Sequence, residues 1–231
     1  MTDPQEVMIT AREGRALPGL RMRPDQARTC LVLAHGAGAG MRHRAMESLA
    51  SGLAERGVAT LRFDFPFMAA GSKRPDPPPV AQAVVRAAVA AAECLAGDLP
   101  VFAGGRSFGG RMTSQAQSVR PIEGVRGLVF FAFPLHPAGR PGIERAMHLG
   151  DVATPMLFLQ GTNDALAETD LLGPIVAALG GRATLVLAQD ADHAFRVPKR
   201  SGRTESETLS GLLDSAAAWM ADRGATRSAT P

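Results

Sequence analysis

Compact apolar runs alternate along the chain with longer stretches in which apolar positions recur every three or four residues. The compact runs, at residues 30–34, 59–63, 101–104, 127–131, 156–160 and 183–187, read as continuous, largely apolar stretches rather than alternating ones. That is the pattern of strands covered on both faces, the usual state of a parallel sheet. Two more polar runs, 6–11 and 19–23, predict an antiparallel pair at one edge. Helical periodicity marks 44–56, 80–95, 108–118, 166–179 and 206–222, each long enough to cross from one strand to the next. The alternation predicts an α/β fold: a mostly parallel central sheet with helices on both faces. Two segments fall outside it. Residues 66–79 are dense in proline and charge, and residues 134–150 carry three prolines and three glycines, so both are expected to be loops. Each leaves a strand at its carboxyl end, where open α/β sheets bind ligands, which makes both candidate pocket walls.

Composition narrows the picture. The 231 residues are 45% hydrophobic and 20% charged, ordinary for a chain with a buried core, and no repeat or second boundary interrupts residues 1–223. One domain is expected, followed by a small polar tail at 224–231. The net charge is +3, almost all of it from arginine, and the basic residues are scattered singly without interleaved aromatics. Nucleic-acid binding is not expected. The first six residues carry acids and no apolar segment, and the alanine-rich stretch at 80–95 is interrupted by Gln82, Arg86 and Glu93. The expectation is a cytoplasmic protein, monomer or homodimer, without membrane association. Cys30 and Cys94 fall on a strand and a helix without metal-ligand spacing, so packed thiols are expected, with no metal and no cofactor.

The chemistry begins where the run 101–104 meets Gly105-Arg106-Ser107-Phe108-Gly109 and the pattern turns helical. A G-x-S-x-G sequence between a strand and a helix is the setting of a nucleophile elbow: a bend so tight that flanking side chains would collide with neighbouring elements, leaving Ser107 projecting into the crevice. The backbone N–H of Phe108, opening the helix, then points at an oxygen held near Ser107 and stabilises developing negative charge there. A serine hydroxyl is a poor nucleophile at neutral pH and needs a base. Downstream, Gly161-Thr162-Asn163-Asp164 follows an apolar strand, and His193 lies in Asp190-Ala191-Asp192-His193 after the next strand. Acid then histidine is the chain order this arrangement requires. Asp164 also suits a turn capping a helix near Leu166, and Asp190 or Asp192 are rivals for orienting His193. Earlier in the chain, His35-Gly36-Ala37-Gly38-Ala39-Gly40 follows the run 30–34; its small residues allow close approach to backbone N–H groups, and Ala37 is the expected second oxyanion donor. The loop lacks the Lys-Ser/Thr pair of a nucleotide-phosphate loop. His35 is expected to brace the loop rather than act as base, while Gly36, Gly38, Phe133 and His136 join it as candidate pocket residues. Arg74, Arg111 and Arg140 are candidates for favouring a carboxylate-bearing substrate.

On Leu31 to Met41, Gly104-Gly105-Arg106-Ser107-Phe108-Gly109-Gly110-Arg111, Phe133 to Pro137, Gly161 to Asp164 and Asp192-His193-Ala194-Phe195, the chain resembles α/β-hydrolases of the dienelactone-hydrolase-like group. The resemblance spans nearly the whole chain and implies an α/β-hydrolase fold with little or no cap domain and a triad of Ser107, Asp164 and His193. Dienelactone hydrolases proper carry cysteine where this chain has serine, so lactone specificity does not transfer. The expected function is hydrolysis of an ester, thioester or related acyl bond of a small molecule. The alternative is a binding or scaffold protein that keeps the hydrolase frame without the reaction.

Overall fold

A computed structural model describes residues 3–10 and 16–225. Eight strands form one sheet: β1 (Gln5–Thr10), β2 (Ala16–Met22), β3 (Thr29–Ala34), β4 (Val58–Phe63), β5 (Val101–Arg106), β6 (Val125–Phe131), β7 (Met156–Gly161) and β8 (Ala183–Ala188). Their order across the sheet is β1-β2-β4-β3-β5-β6-β7-β8. From β4 to β8 all neighbours are parallel, and β1 and β2 add an antiparallel edge, β2 pairing antiparallel with β4. The carboxyl ends of six parallel strands therefore share one rim, and the loops leaving that rim build the site.

The sheet is covered as the continuous apolar runs require. Along β3, Cys30, Val32 and Ala34 face one layer while Leu31 and Leu33 face the other, and both faces are buried. The first layer holds α3 (Pro78–Ala96), α4 (Phe108–Val119) and α5 (Thr169–Ala178); the second holds α1 (Arg44–Ala54) and α6 (Glu205–Ala225). Helix α3 is long and apolar enough to pass for a membrane span, yet it lays Ala81, Val84, Val85, Ala88, Val89, Ala92 and Ala96 on the sheet. Each buried valine of that stripe contributes about 1.5–3 kcal/mol.

Several expectations shift. The edge pair is less polar than predicted, because Ile9 on β1 and Leu17, Leu20 and Met22 on β2 are buried. The end of the predicted run at Ala11 lies outside the described residues. Conversely, β8 was expected to be buried and is only half-buried, with Leu187 exposed, because it is the last strand and has one neighbour. Segment 66–79 is not all loop: it holds a short α2 (Pro66–Ala69) and the start of α3, whose prolines occupy first-turn positions where a missing N–H loses no bond. Segment 134–150 ends in a 3-10 helix at Glu144–Asp151. Helix α5 starts at Thr169, later than predicted, and α6 continues through Gly224 and Ala225 into the predicted tail, the rest of which is undescribed. Cys30 is buried and its thiol is pushed up to about 11 by burial, whereas Cys94 is exposed, contrary to expectation.

Candidate active site

Ser107 joins β5 to α4 with φ 49° and ψ −116°, a conformation side-chain-bearing residues rarely adopt. Its backbone is locked from both sides: its N–H donates to the Phe131 carbonyl at 3.0 Å, and its carbonyl accepts from the Arg111 N–H at 3.1 Å. The flanking glycines are required by space. A Cβ on Gly105 would lie 2.3 Å from the Ala34 carbonyl oxygen, and one on Gly109 would lie 2.5 Å from the same atom. Glycine there lets the first turn of α4 pack against the end of β3. Gly105→Ala is accordingly expected to destabilise the fold by about 3 kcal/mol, read as a lower urea midpoint at unchanged m.

Two loops reach the elbow from strands farther along the sheet, β7 and β8. The turn after β7 carries Asp164, and the loop after β8 carries His193. They are stitched together: Thr162 N–H donates to Ala188 O at 3.0 Å, Asn163 N–H to Ala191 O at 2.8 Å, and Asp190 N–H to Thr162 Oγ1 at 2.7 Å. His193 Nδ1 lies 2.7 Å from Asp164 Oδ2, and its Nε2 lies 2.9 Å from Ser107 Oγ. The carboxylate accepts the Nδ1 proton, so Nε2 is the acceptor that faces the serine hydroxyl. Asp164 is fully buried in its side chain, and its other oxygen accepts the Leu166 N–H at 2.8 Å. The turn-stabilising and histidine-facing roles thus coexist in one carboxylate. Asp190 and Asp192 shape the loop instead: Asp192 Oδ1 accepts from Ala194 and Arg196 N–H at 2.7 and 2.9 Å.

Gln160, unnoticed in the sequence, completes this cluster. It is fully buried at the end of β7; its Oε1 accepts the Phe133 N–H at 2.8 Å, which turns its Nε2 toward Asp164 Oδ2. The available signal was a single polar amide closing an otherwise apolar strand. Arg106 is a second omission: its guanidinium donates to the His193 carbonyl at 3.3 Å from beneath the histidine loop.

The loop after β3 runs beside the elbow. A Cβ on Gly36 would lie 3.8 Å from Ser107 Cβ, so Gly36 and Ala37 border the serine. Among the described residues no acceptor engages the Ala37 N–H, and the Phe108 N–H opens a helix, where no preceding turn supplies an acceptor. The loop is held from below. His35 Nδ1–H donates to Gly36 O at 2.7 Å, His35 Nε2 accepts from Phe65 N–H at 3.0 Å, Asp64 Oδ1 accepts from Met41 N–H at 2.7 Å, and Arg62 donates to Met41 O at 2.9 Å. One donating and one accepting nitrogen describe a neutral imidazole, and burial lowers the His35 pKa accordingly.

Three of the candidate pocket residues do not reach open space. His35 and Phe133 are fully buried and His136 is nearly so. Phe133 packs against Phe130 and Phe158 at ring separations of 5.3 and 5.7 Å. His136 is enclosed between Pro137 O, at 2.9 Å from Nδ1, and Glu168 at Nε2. Gly36 is half-buried and Gly38 is exposed. A groove of about 710 Å³ lies between α1 and α6 and touches the site through Arg106 and Ala194, and a smaller cavity of about 230 Å³ is lined by Ile143, Ala146, Met147, Leu149 and Gly150 of segment 134–150. Among the described residues no group of three His, Cys, Asp or Glu side chains is placed to hold a metal ion.

An alpha/beta hydrolase domain family model matches residues 27–221. The chain belongs to the α/β-hydrolase family. Solved α/β-hydrolase-like structures superpose along nearly the whole chain. A dienelactone hydrolase from Anabaena variabilis shares 23% identity at a TM-score of 0.74, covering 94% of this chain and 96% of that one. A serine hydrolase without lid from Xanthomonas campestris shares 21% at 0.71, covering 100% and 98%. The esterase domain of a Rhodothermus marinus protein shares 16% at 0.70, covering 95% and 98%. At these identities the likeness is one of fold. This α/β-hydrolase has the eight-stranded, mostly parallel sheet expected of it, and among the described residues no cap domain is inserted over the strand rim.

A half-buried histidine packed against α4 is expected to make stability depend on pH. His148, on the 3-10 helix, lies 2.8 Å from Ser114 Oγ, and burial together with the Arg111 charge lowers its pKa to about 4. An unfolded histidine, with its ordinary value of 6.5, binds a proton that the folded one refuses, so stability falls as pH drops from about 6.5 to about 4. His35 acts in the same direction. Unfolding free energies measured across that window should show this decline, with a shallower slope in His148→Gln.

Proposed function

We propose that this α/β-hydrolase is a serine hydrolase that cleaves a carboxylic ester, thioester or related acyl bond of a small molecule through an acyl-enzyme on Ser107. The observation that carries the reading is the line from Ser107 Oγ through His193 to Asp164, with separations of 2.9 and 2.7 Å. Both lie within the range in which a proton passes between heavy atoms. In the proposed cycle His193 Nε2 takes the hydroxyl proton as Ser107 Oγ attacks the acyl carbon. The negative charge reaching the carbonyl oxygen falls to the N–H groups of Phe108 and Ala37. Collapse expels the alkoxide or thiolate, which leaves with the proton from Nε2. Water then gives a proton to Nε2, attacks the acyl carbon, and the second collapse returns a proton to Ser107.

Asp164 and Gln160 contribute by orientation. The buried carboxylate fixes which ring nitrogen of His193 is free and stabilises the imidazolium as it forms. Gln160 holds that carboxylate in turn, and Arg106 steadies the histidine backbone. The strained backbone at Ser107 supports the same reading, since such strain concentrates where a side chain is presented for chemistry. Esterases and serine hydrolases among the fold neighbours are consistent with it.

A fluorophosphonate probe, with turnover of short-chain neutral esters and thioesters, tests the proposal. Stoichiometric labelling confined to Ser107 and measurable turnover are expected. A protein that neither labels nor turns over any member of the panel would overturn the reading in favour of a non-catalytic binding protein.

A further inference from the structure

Arginines on the rim are unevenly partnered. Arg74 and Arg140 stand exposed on their loops, whereas Arg111 is turned inward. Arg111 sits one turn along α4 from Ser107, whose carbonyl accepts its N–H at 3.1 Å, and helical side chains lean back toward the N-terminus, here toward the first turn of α4. Its guanidinium carbon is 5.8 Å from the centre of the Phe108 ring, whose residue supplies the proposed oxyanion N–H. The 3-10 helix that closes segment 134–150 packs against α4 where His148 Nε2 lies 2.8 Å from Ser114 Oγ, and Arg145, in its first turn, is near enough for its charge to act on Arg111.

Among the described residues neither Arg111 nor Arg145 makes an ion pair or a side-chain hydrogen bond, and Arg111 Nε is buried without a hydrogen-bond partner. Both guanidinium groups are held below their ordinary pKa by burial, Arg111 at about 10 with Arg145 adding repulsion. His148 supplies no counter-charge. Ser114 Oγ donates to Arg111 O at 3.0 Å, so His148 Nε2 donates to Ser114 and the ring is a neutral bystander. Asp151 is the carboxylate that acts on His148, and it is exposed and pairs with neither arginine. Two half-buried like charges with no carboxylate side chain paired to either are costly to maintain, and an arriving oxyanion would relieve both the desolvation and the repulsion. Guanidinium forks suit carboxylate and phosphate equally.

We infer that Arg111 and Arg145 form a receptor for an oxyanion, a carboxylate or phosphate carried by the acyl or alcohol part of the substrate attacked at Ser107. The inference rests on the serine-hydrolase reading for its substrate and on the unpaired arginines for its site. The substrate class is then acyl esters bearing a negative charge close to the scissile carbonyl.

The test compares kcat/KM for 4-nitrophenyl hemiglutarate and neutral 4-nitrophenyl butyrate. A wild-type preference of at least ~10-fold for the charged ester is expected, a size in keeping with one charge-assisted contact. Arg145→Gln and Arg111→Gln should each erase most of that ratio, and Arg140→Gln should leave it intact. Inorganic phosphate and glutarate as competitive inhibitors separate the two anion types, the tighter one naming the group. A ratio near one in the wild type, or one that survives Arg145→Gln, overturns the inference. Calorimetric titration with glutarate and phosphate keeps the site testable if no ester is turned over. Binding that is lost in Arg145→Gln supports the receptor even then, and absence of binding in the wild type refutes it.

Discussion

Ser107→Ala is expected to lower kcat for ester hydrolysis by at least ~10,000-fold, about 5.5 kcal/mol in the barrier, and to abolish fluorophosphonate labelling. The loss is large because, among the described residues, the hydroxyl oxygen is the partner of His193 Nε2, at 2.9 Å. The residue held at φ 49° and ψ −116° also makes a second prediction possible on the same position. Glycine tolerates that conformation, so Ser107→Gly should be as inactive as Ser107→Ala yet more stable than wild type. The relief of strain, less the entropy that glycine adds to the unfolded chain, comes to about 1 kcal/mol. That corresponds to a rise in Tm of about 2–4 °C for a chain of this size. A serine retained solely for structure would show the opposite: losing it would not raise stability and would not touch turnover.

Asp164→Asn is expected to lower kcat by about 10,000-fold and to destabilise the protein at the same time. Three donors converge on this carboxylate: His193 Nδ1–H and Gln160 Nε2–H on Oδ2, and Leu166 N–H on Oδ1. An amide offers one oxygen in place of two, so its NH₂ must face at least one of those donors. Gln160 cannot turn to accommodate it, because its own oxygen holds the Phe133 N–H at 2.8 Å. If the amide NH₂ faces His193, the ring flips tautomer and its Nε2 carries a proton toward Ser107 instead of accepting one. If it faces Leu166, a buried N–H loses its acceptor, a penalty of about 1–3 kcal/mol. Activity as a function of pH and the urea midpoint together read both effects, and an unchanged midpoint with wild-type turnover would contradict the placement of Asp164.

The two sides of this site were unequally visible in the sequence. Ser107, Asp164 and His193 could be singled out because each stands just past an apolar run, and a strand's carboxyl end is fixed by where that run stops. The choice among Asp164, Asp190 and Asp192 could not be made from spacing, since all three fall on loops of the same rim. It was settled by the stitching of the turn after β7 to the loop after β8, which points Asp164 inward and uses Asp192 to hold its own loop. Pocket lining was the least legible. His35, Phe133 and His136 follow strand ends as surely as Ser107, Asp164 and His193 do, but each turns into the interior, where it braces a loop or fills the core. Gln160 and Arg106 went unnoticed because a residue that acts by holding another has no spacing of its own.

The chain alone determined its alternating elements, the doubly covered sheet, the antiparallel edge and the bend at Ser107, because these depend on periodicity and on steric limits that act within a few residues. Tertiary structure decided which carboxylate meets His193, which histidines are braces, and that among the described residues no carboxylate side chain pairs with Arg111 or Arg145. Those outcomes depend on distances between loops far apart in sequence, and only the stacking of neighbouring strands sets them.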